Sequence, residues 1–132
     1  MWKFGLIVLV LCGGAFVIGT MVFSPKVCIS CDSSKFKAMA DSGEYKIIDV
    51  RTEEEYAGGH LANAAQIDFY KTDVFKNYLG TLDKNAKYLI YCRSGNRSRN
   101  AMEVMRNKGF ISVADLAGGI TAWEAQGLPV VK

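Results

Sequence analysis

The run Tyr88-Leu89-Ile90-Tyr91-Cys92-Arg93-Ser94-Gly95-Asn96-Arg97-Ser98 decides how the rest of the chain reads. Its first four residues are a short apolar run of strand length, and Arg97 to Lys108 continues as a helix with Ala101 and Met105 on one face and Gly109 as its stop. Between them lies a polar loop with one thiol and two guanidinium groups. A loop closing onto a helix N-terminus turns unpaired amides inward, and their partial positive charge favours an anion. Cys92 in that setting is expected to ionise readily and to act as a nucleophile, while Gly95 lets the backbone curl close to whatever binds. The competing reading is an inert core cysteine. For that role Arg93, Ser94, Asn96, Arg97 and Ser98 would form a costly polar wall.

On either side of this loop, strand-like and helix-like periods alternate. Val27-Cys28-Ile29 reads as a short edge strand, Phe36, Met39 and Ala40 as a helix face ending at Asp41-Ser42-Gly43, and Ile47 to Val50 as a strand. Thr52-Glu53-Glu54-Glu55 is a capping box, so a helix starts directly after that strand and ends at Gly58-Gly59. Ala64 to Ile67 is a further strand. Val74, Phe75, Tyr78, Leu79 and Leu82 make a helical stripe, Val113 to Leu116 a strand, and Ile120 and Trp123 a closing helix stopped by Gly127 and Pro129. Such alternation requires crossover connections. The fold class is therefore α/β, with a mostly parallel sheet, helices on both faces, and ligand chemistry at the carboxyl ends of the strands.

The chain has 132 residues, half of them hydrophobic and 22% charged, which excludes a disordered or fibrous protein and leaves room for one small domain. The net charge of +3 arises from 16 basic and 13 acidic side chains dispersed along the sequence, so nucleic acid is not an expected partner. From Phe4 to Phe23 no residue is charged. Twenty helical residues span about 30 Å, the thickness of a bilayer core. Residues 1–25 are thus expected to form a single transmembrane anchor, with 26–132 as the domain it carries. A cleaved signal segment is the alternative, but cleavage at Gly13-Gly14-Ala15 would leave Phe16 to Ile18 and Met21 to Phe23 exposed on a soluble protein. Basic residues flank both ends of the segment and do not fix its orientation.

Three separated pieces carry a resemblance: Asp49-Val50-Arg51 with Glu55-Tyr56 and Gly59-His60, the Cys92 loop, and Gly118-Gly119 with Trp123 and Gly127-Leu128-Pro129. Together they resemble the rhodanese-like single-domain sulfurtransferases over nearly all of residues 27 to 130. The resemblance implies a five-stranded parallel sheet flanked by helices, the nucleophile on Cys92, and an anion cradle over Arg93, Ser94, Gly95, Asn96, Arg97 and Ser98. In that family, members acting on sulfane sulfur have four residues between the cysteine and the following arginine, and the related cell-cycle phosphatases and arsenate reductases have five. Here four residues separate Cys92 from Arg97. The expected activity is transfer of sulfur from thiosulfate or a polysulfide to a thiol, cyanide or protein acceptor, with no metal or organic cofactor. The family's usual Pro-Gly after Gly-His-Ile is replaced by Ala62-Asn63, a departure expected to affect only a turn.

Other residues admit more than one role. Cys28 and Cys31 form a C-x-x-C pair that could be a disulfide, two free thiols, a sulfur or redox relay to Cys92, or half of a metal site. The metal reading is weakest, because His60 is the only histidine and no second pair exists. A disulfide would tilt the domain towards an extracytoplasmic location. His60 is read as part of a structural corner, Asp49 as fold support and Arg51 as a possible recognition residue at the site mouth. Two other functions stay open: an idle anion- or partner-binding module on the same fold, and a thiol redox protein using Cys28 and Cys31.

Overall fold

The computed structural model describes residues 27–132. Elements follow one another as β1 (Val27–Cys31), α1 (Ser33–Asp41), β2 (Tyr45–Asp49), α2 (Glu53–Ala57), β3 (Ala65–Gln66), α3 (Thr72–Leu79), β4 (Lys87–Tyr91), α4 (Asn96–Asn107), β5 (Ser112–Leu116) and α5 (Gly119–Ala125). Each strand leads into a helix, so every return to the sheet is a crossover. All strand pairs are parallel, in the order β1-β5-β4-β2-β3. This puts β4 in the middle and Cys92 just beyond its carboxyl end.

Alternation along the strands divides the core into two layers. Tyr88, Ile90, Cys92 and Val113 share one layer with Phe75 and Leu79 of α3 and Ala101 and Met105 of α4. Leu89, Tyr91, Ala114 and Leu116 share the other with Phe36 of α1 and Ile120 and Trp123 of α5. Phe36 meets Trp123 edge to face at 6.2 Å. Helices therefore cover both faces, as the alternating periods predict. The stripe expected to run through Leu82 is cut short, because α3 ends at Leu79 with Gly80 as its cap and Thr81 turns back onto the Tyr78 carbonyl. Leu82 still packs on the core, from the turn.

Of the readings open for the C-x-x-C pair, strand geometry fits two free thiols and not a disulfide. Cys28 packs into the α3/α4 layer, Cys31 is buried in the α1/α5 layer, and both are free thiols. Three residues of extended strand separate them by about 10 Å, past the reach of a disulfide. The same separation removes a shared metal or a dithiol relay, and with it the argument for an oxidising compartment. The anchor expected over residues 1–25 lies outside the described residues. Among the described residues, no helix is long and apolar enough to cross a membrane.

Where β2 ends, a buried polar network replaces the expected recognition role of Arg51. Asp49 and Arg51 are 0% and 5% exposed. The Arg51 guanidinium donates to both Asp49 oxygens at 2.8–3.1 Å and to the Gly59 carbonyl at 2.7 Å. Tyr91 donates to Asp49 Oδ2 at 2.6 Å and accepts from the Leu61 amide at 3.0 Å. Arg51 thus ties β2 to the corner after α2 and faces no solvent-accessible ligand. His60 completes that corner: its ring stacks on Tyr56 at 3.6 Å, and its backbone pairs with Val131. Next to it Asn63 adopts φ +65°, a left-handed conformation that asparagine tolerates better than most residues. The Ala62-Asn63 departure is absorbed in this turn.

The capping box is present at α2, where Thr52 Oγ1 accepts from the Glu55 amide and Glu55 Oε1 from the Thr52 amide. The same Glu55 carboxylate receives a bidentate bond from Arg97 of α4 at 2.8 and 2.9 Å. Arg97, together with the Thr52 bonds, pulls the Glu55 carboxyl down from 4.5 to about 2. Since the folded value lies below the unfolded one, this stabilisation is complete above pH 4.5 and is lost as pH falls towards about 2. After allowance for partial exposure it amounts to about 1–2 kcal/mol.

Urea unfolding at successive pH values should show the wild type losing stability below pH 4.5 more steeply than Glu55→Gln; parallel curves would contradict the pairing. Arg51→Met should destabilise the domain by roughly 3–5 kcal/mol, because the Asp49 carboxyl would stay buried without its counter-charge. A loss under about 1 kcal/mol would show that the network is dispensable.

Candidate active site

Central strand β4 delivers Cys92 into a turn that closes on α4. The chain reverses through Gly95, whose φ of +101° favours a residue without a Cβ, and α4 starts at Asn96 with no side chain capping its first turn. The reversal aims the Gly95 amide at Cys92 Sγ, at 3.0 Å. From the first turn of α4, Ser98 Oγ reaches the same sulfur at 3.4 Å and lies 3.3 Å from the Gly95 carbonyl. Cys92 is 1% exposed. Donors converging on a sulfur at the bottom of a cradle stabilise negative charge on it.

A second turn supports the cradle from below. The Cys92 carbonyl accepts from the Ile120 amide at 2.9 Å and the Arg93 carbonyl from the Thr121 amide at 3.1 Å, so the start of α5 satisfies the loop's acceptors. Gly119 makes this approach possible. A Cβ there would lie 2.3 Å from the Arg93 carbonyl oxygen, and its φ is +61°. Gly118-Gly119 therefore shapes the site although neither residue touches the sulfur, a role the sequence signals only through the glycine pair itself.

Cys92, Gly95 and Ser98 come together, whereas Arg93, Ser94 and Asn96 form an exposed rim. Arg97 stays close enough to interact with Cys92 but is paired to a carboxylate. Its guanidinium is held by Glu55 and lies over the Tyr70 ring at 5.0 Å, so its charge is largely balanced. Arg93 is the exposed guanidinium of the loop. Sequence reasoning used Glu55 only as a helix cap and missed its hold on Arg97. It also missed Tyr70, which is 68% exposed at the rim and carries no periodic signal.

The model of the rhodanese-like domain matches residues 32–126. A sulfurtransferase of Allochromatium vinosum is 34% identical over 93 residues, covering 70% of this chain and 84% of that protein. A putative sulfurtransferase of Bacillus subtilis is 38% identical over 101 residues, covering 76% and 93%. Among solved structures, a rhodanese-like domain protein from Staphylococcus aureus superposes with a TM-score of 0.65 at 33% identity, covering 78% of this chain and 98% of that one. The match is not confined to small transferases, since a tRNA uridine(34) hydroxylase of Erwinia tasmaniensis is 33% identical over 108 residues, 30% of its own length. A buried cysteine facing inward-turned donors, on this sheet order and with these relatives, supports a role in sulfur transfer. The chain belongs to the rhodanese-like domain family.

Proposed function

We propose that this chain is a sulfurtransferase that carries sulfane sulfur as a persulfide on Cys92. The observation that carries the reading is the convergence of the Gly95 amide and the Ser98 hydroxyl on one buried sulfur at a strand end. In the first step the Cys92 thiolate attacks the outer sulfur of thiosulfate. The new S–S bond forms as the donor's S–S bond breaks, and sulfite leaves with the electron pair of that bond. The product is the Cys92 persulfide anion. An acceptor thiolate or cyanide then attacks the terminal sulfur, takes it as a persulfide or thiocyanate, and returns Cys92 as the thiolate. No net proton is consumed in either step.

The cradle's donors can follow the negative charge from Sγ to the terminal sulfur, and the exposed Arg93 supplies the field that draws a dianionic donor inward. The four-residue spacing between Cys92 and Arg97 supports sulfur over phosphate as the atom handled. A polysulfide fits the same first step, a shortened chain leaving in place of sulfite. The charge-free stretch from Phe4 to Phe23 supports an anchor holding the domain at a membrane.

Intact mass after incubation with thiosulfate should show one added sulfur atom on the wild type and none on Cys92→Ser, whose kcat/KM should fall at least about a thousand-fold while its thermal unfolding is unchanged. An unmodified wild type, or a variant that still turns over, would overturn the reading. Arg93→Ala should raise KM for thiosulfate several-fold at low ionic strength, and the difference should shrink as salt screens the exposed charge. A salt-independent effect would show that Arg93 acts by contact rather than by field.

A further inference from the structure

Three neighbouring strands end around the Cys92 loop, and the charges that follow them cancel. β4 leads into the loop, β2 beside it leads into α2, and β3 beyond leads into α3. Tyr91, next to the nucleophile, is in register with Asp49 of β2, and the chain reaches Glu55 in the first turn of α2 soon after. Arg97 stands in the first turn of α4 beside Ser98, whose hydroxyl reaches Cys92 Sγ. Both terminal nitrogens of Arg97 donate to Glu55, one to each oxygen, at 2.8 and 2.9 Å. The exposed Tyr70 ring, on the stretch after β3, lies against the guanidinium at 5.0 Å. Among the described residues, no other ion pair involves the loop.

Glu55 is held from its other side as well, since its Oε1 accepts from the Thr52 amide in the capping box. Turning Arg97 towards an anion above Cys92 would leave that carboxylate without its counter-charge. The two side chains are only 13% and 26% exposed, so the loss would be costly. Seen from the sulfur, a matched pair acts as a dipole, and its pull on an approaching anion is far weaker than that of a free guanidinium. Coulombic attraction scales with the charge of the ligand. Cancelling Arg97 therefore weakens a dianion twice as much, in free energy, as a monoanion. Arg93 remains as an attracting charge, but it is exposed and open to screening by salt.

We infer that Glu55 is a positioning residue that sets the charge of the sulfur donor: by engaging both terminal nitrogens of Arg97, it tunes the cradle to donors carrying at most one charge, of the persulfide type R–S–SH or R–S–S⁻, over tetrahedral dianions. The inference rests on the reading of Cys92 as the sulfur carrier and narrows its donor. With such a donor the Cys92 thiolate attacks the outer sulfur, the donor's S–S bond breaks, and R–S⁻ leaves with the electron pair of that bond. The transferred sulfur keeps whatever proton it carried, and no outside oxidant or reductant enters. Thiosulfate still reacts by the step given above, at higher concentration.

Two pairs of probes with a shared tetrahedral sulfur and a difference of one charge test this: sulfate against methanesulfonate as ligands, and thiosulfate against methanethiosulfonate as donors. Ligand binding to the full chain is read from protection of Cys92 against iodoacetamide, followed on the Cys92 peptide, in about 0.3 M sodium chloride to screen Arg93. In the wild type, sulfate should protect no more than about threefold better than methanesulfonate. In Glu55→Gln an amide oxygen can still accept from Arg97 without balancing its charge. There methanesulfonate should protect at about fivefold lower concentration than in the wild type and sulfate at about 25-fold lower. The ratio of kcat/KM for thiosulfate to that for methanethiosulfonate should rise about fivefold in the same variant, with KM carrying the change. A merely structural role for Glu55 would move both members of a pair alike. Equal shifts, or no protection by sulfate in Glu55→Gln, would therefore overturn the inference. If Glu55→Gln does not fold, the wild type decides, because sulfate protecting more than about threefold better than methanesulfonate contradicts a cancelled Arg97. Protection involves no sulfur transfer. A protein that takes sulfur from neither donor fails the persulfide reading, while the protection assay still passes or fails the selection by charge.

Discussion

The hydrogen bond from the Gly95 amide to Cys92 Sγ is the contact on which the site depends. It requires a left-handed residue three positions after the cysteine, and it requires the loop's carbonyls to be satisfied elsewhere so that its amides can turn inward. Glycine meets the first requirement at position 95 and the start of α5 meets the second, through Ile120 and Thr121. Gly119 links the two, because any side chain there would drive α5 off the loop. The sheet order brings these pieces together: β5 lies beside β4, so the turn after β5 runs directly beneath the turn after β4.

Charge at the site is distributed differently from a simple ring of arginines. Arg97 is matched to Glu55, and Arg51, at the end of the neighbouring strand, is matched to Asp49 and buried. Both are braces. One ties α4 to α2, and the other ties β2 to the corner after α2. The contacts made to the sulfur itself are those of a backbone amide and a hydroxyl, with the paired Arg97 close enough to interact with Cys92 and Arg93 exposed at the rim. Preorganised dipoles need no reorganisation when charge moves by one sulfur atom along a persulfide. A bound guanidinium would have to let go of its carboxylate to follow.

Much of the fold was legible because its signals are local. The Thr52–Glu55 capping box, the apolar run of β4 and the strand-to-helix alternation each follow from residues within a few positions of one another, and each appears in the structure. Cys92, Gly95 and Ser98 were legible for the same reason, as one continuous loop. What stayed hidden depends on pairing across the sheet or between helices. Nothing near Arg97 in sequence reveals Glu55 as its partner, and nothing around Arg51 reveals that Tyr91 and Gly59 bury it. The Cys28-x-x-Cys31 spacing left several roles open, because it does not reveal that an extended strand sends the two thiols to opposite faces.

The most direct test of this account is a crystal structure of the protein soaked in thiosulfate. The account predicts a second sulfur covalently attached to Cys92 Sγ, pointing into the loop within hydrogen-bond distance of its amides, with Arg97 still on Glu55. Thiosulfate bound without a bond to Cys92, or sulfur added at Cys28 while Cys92 stays bare, would contradict it.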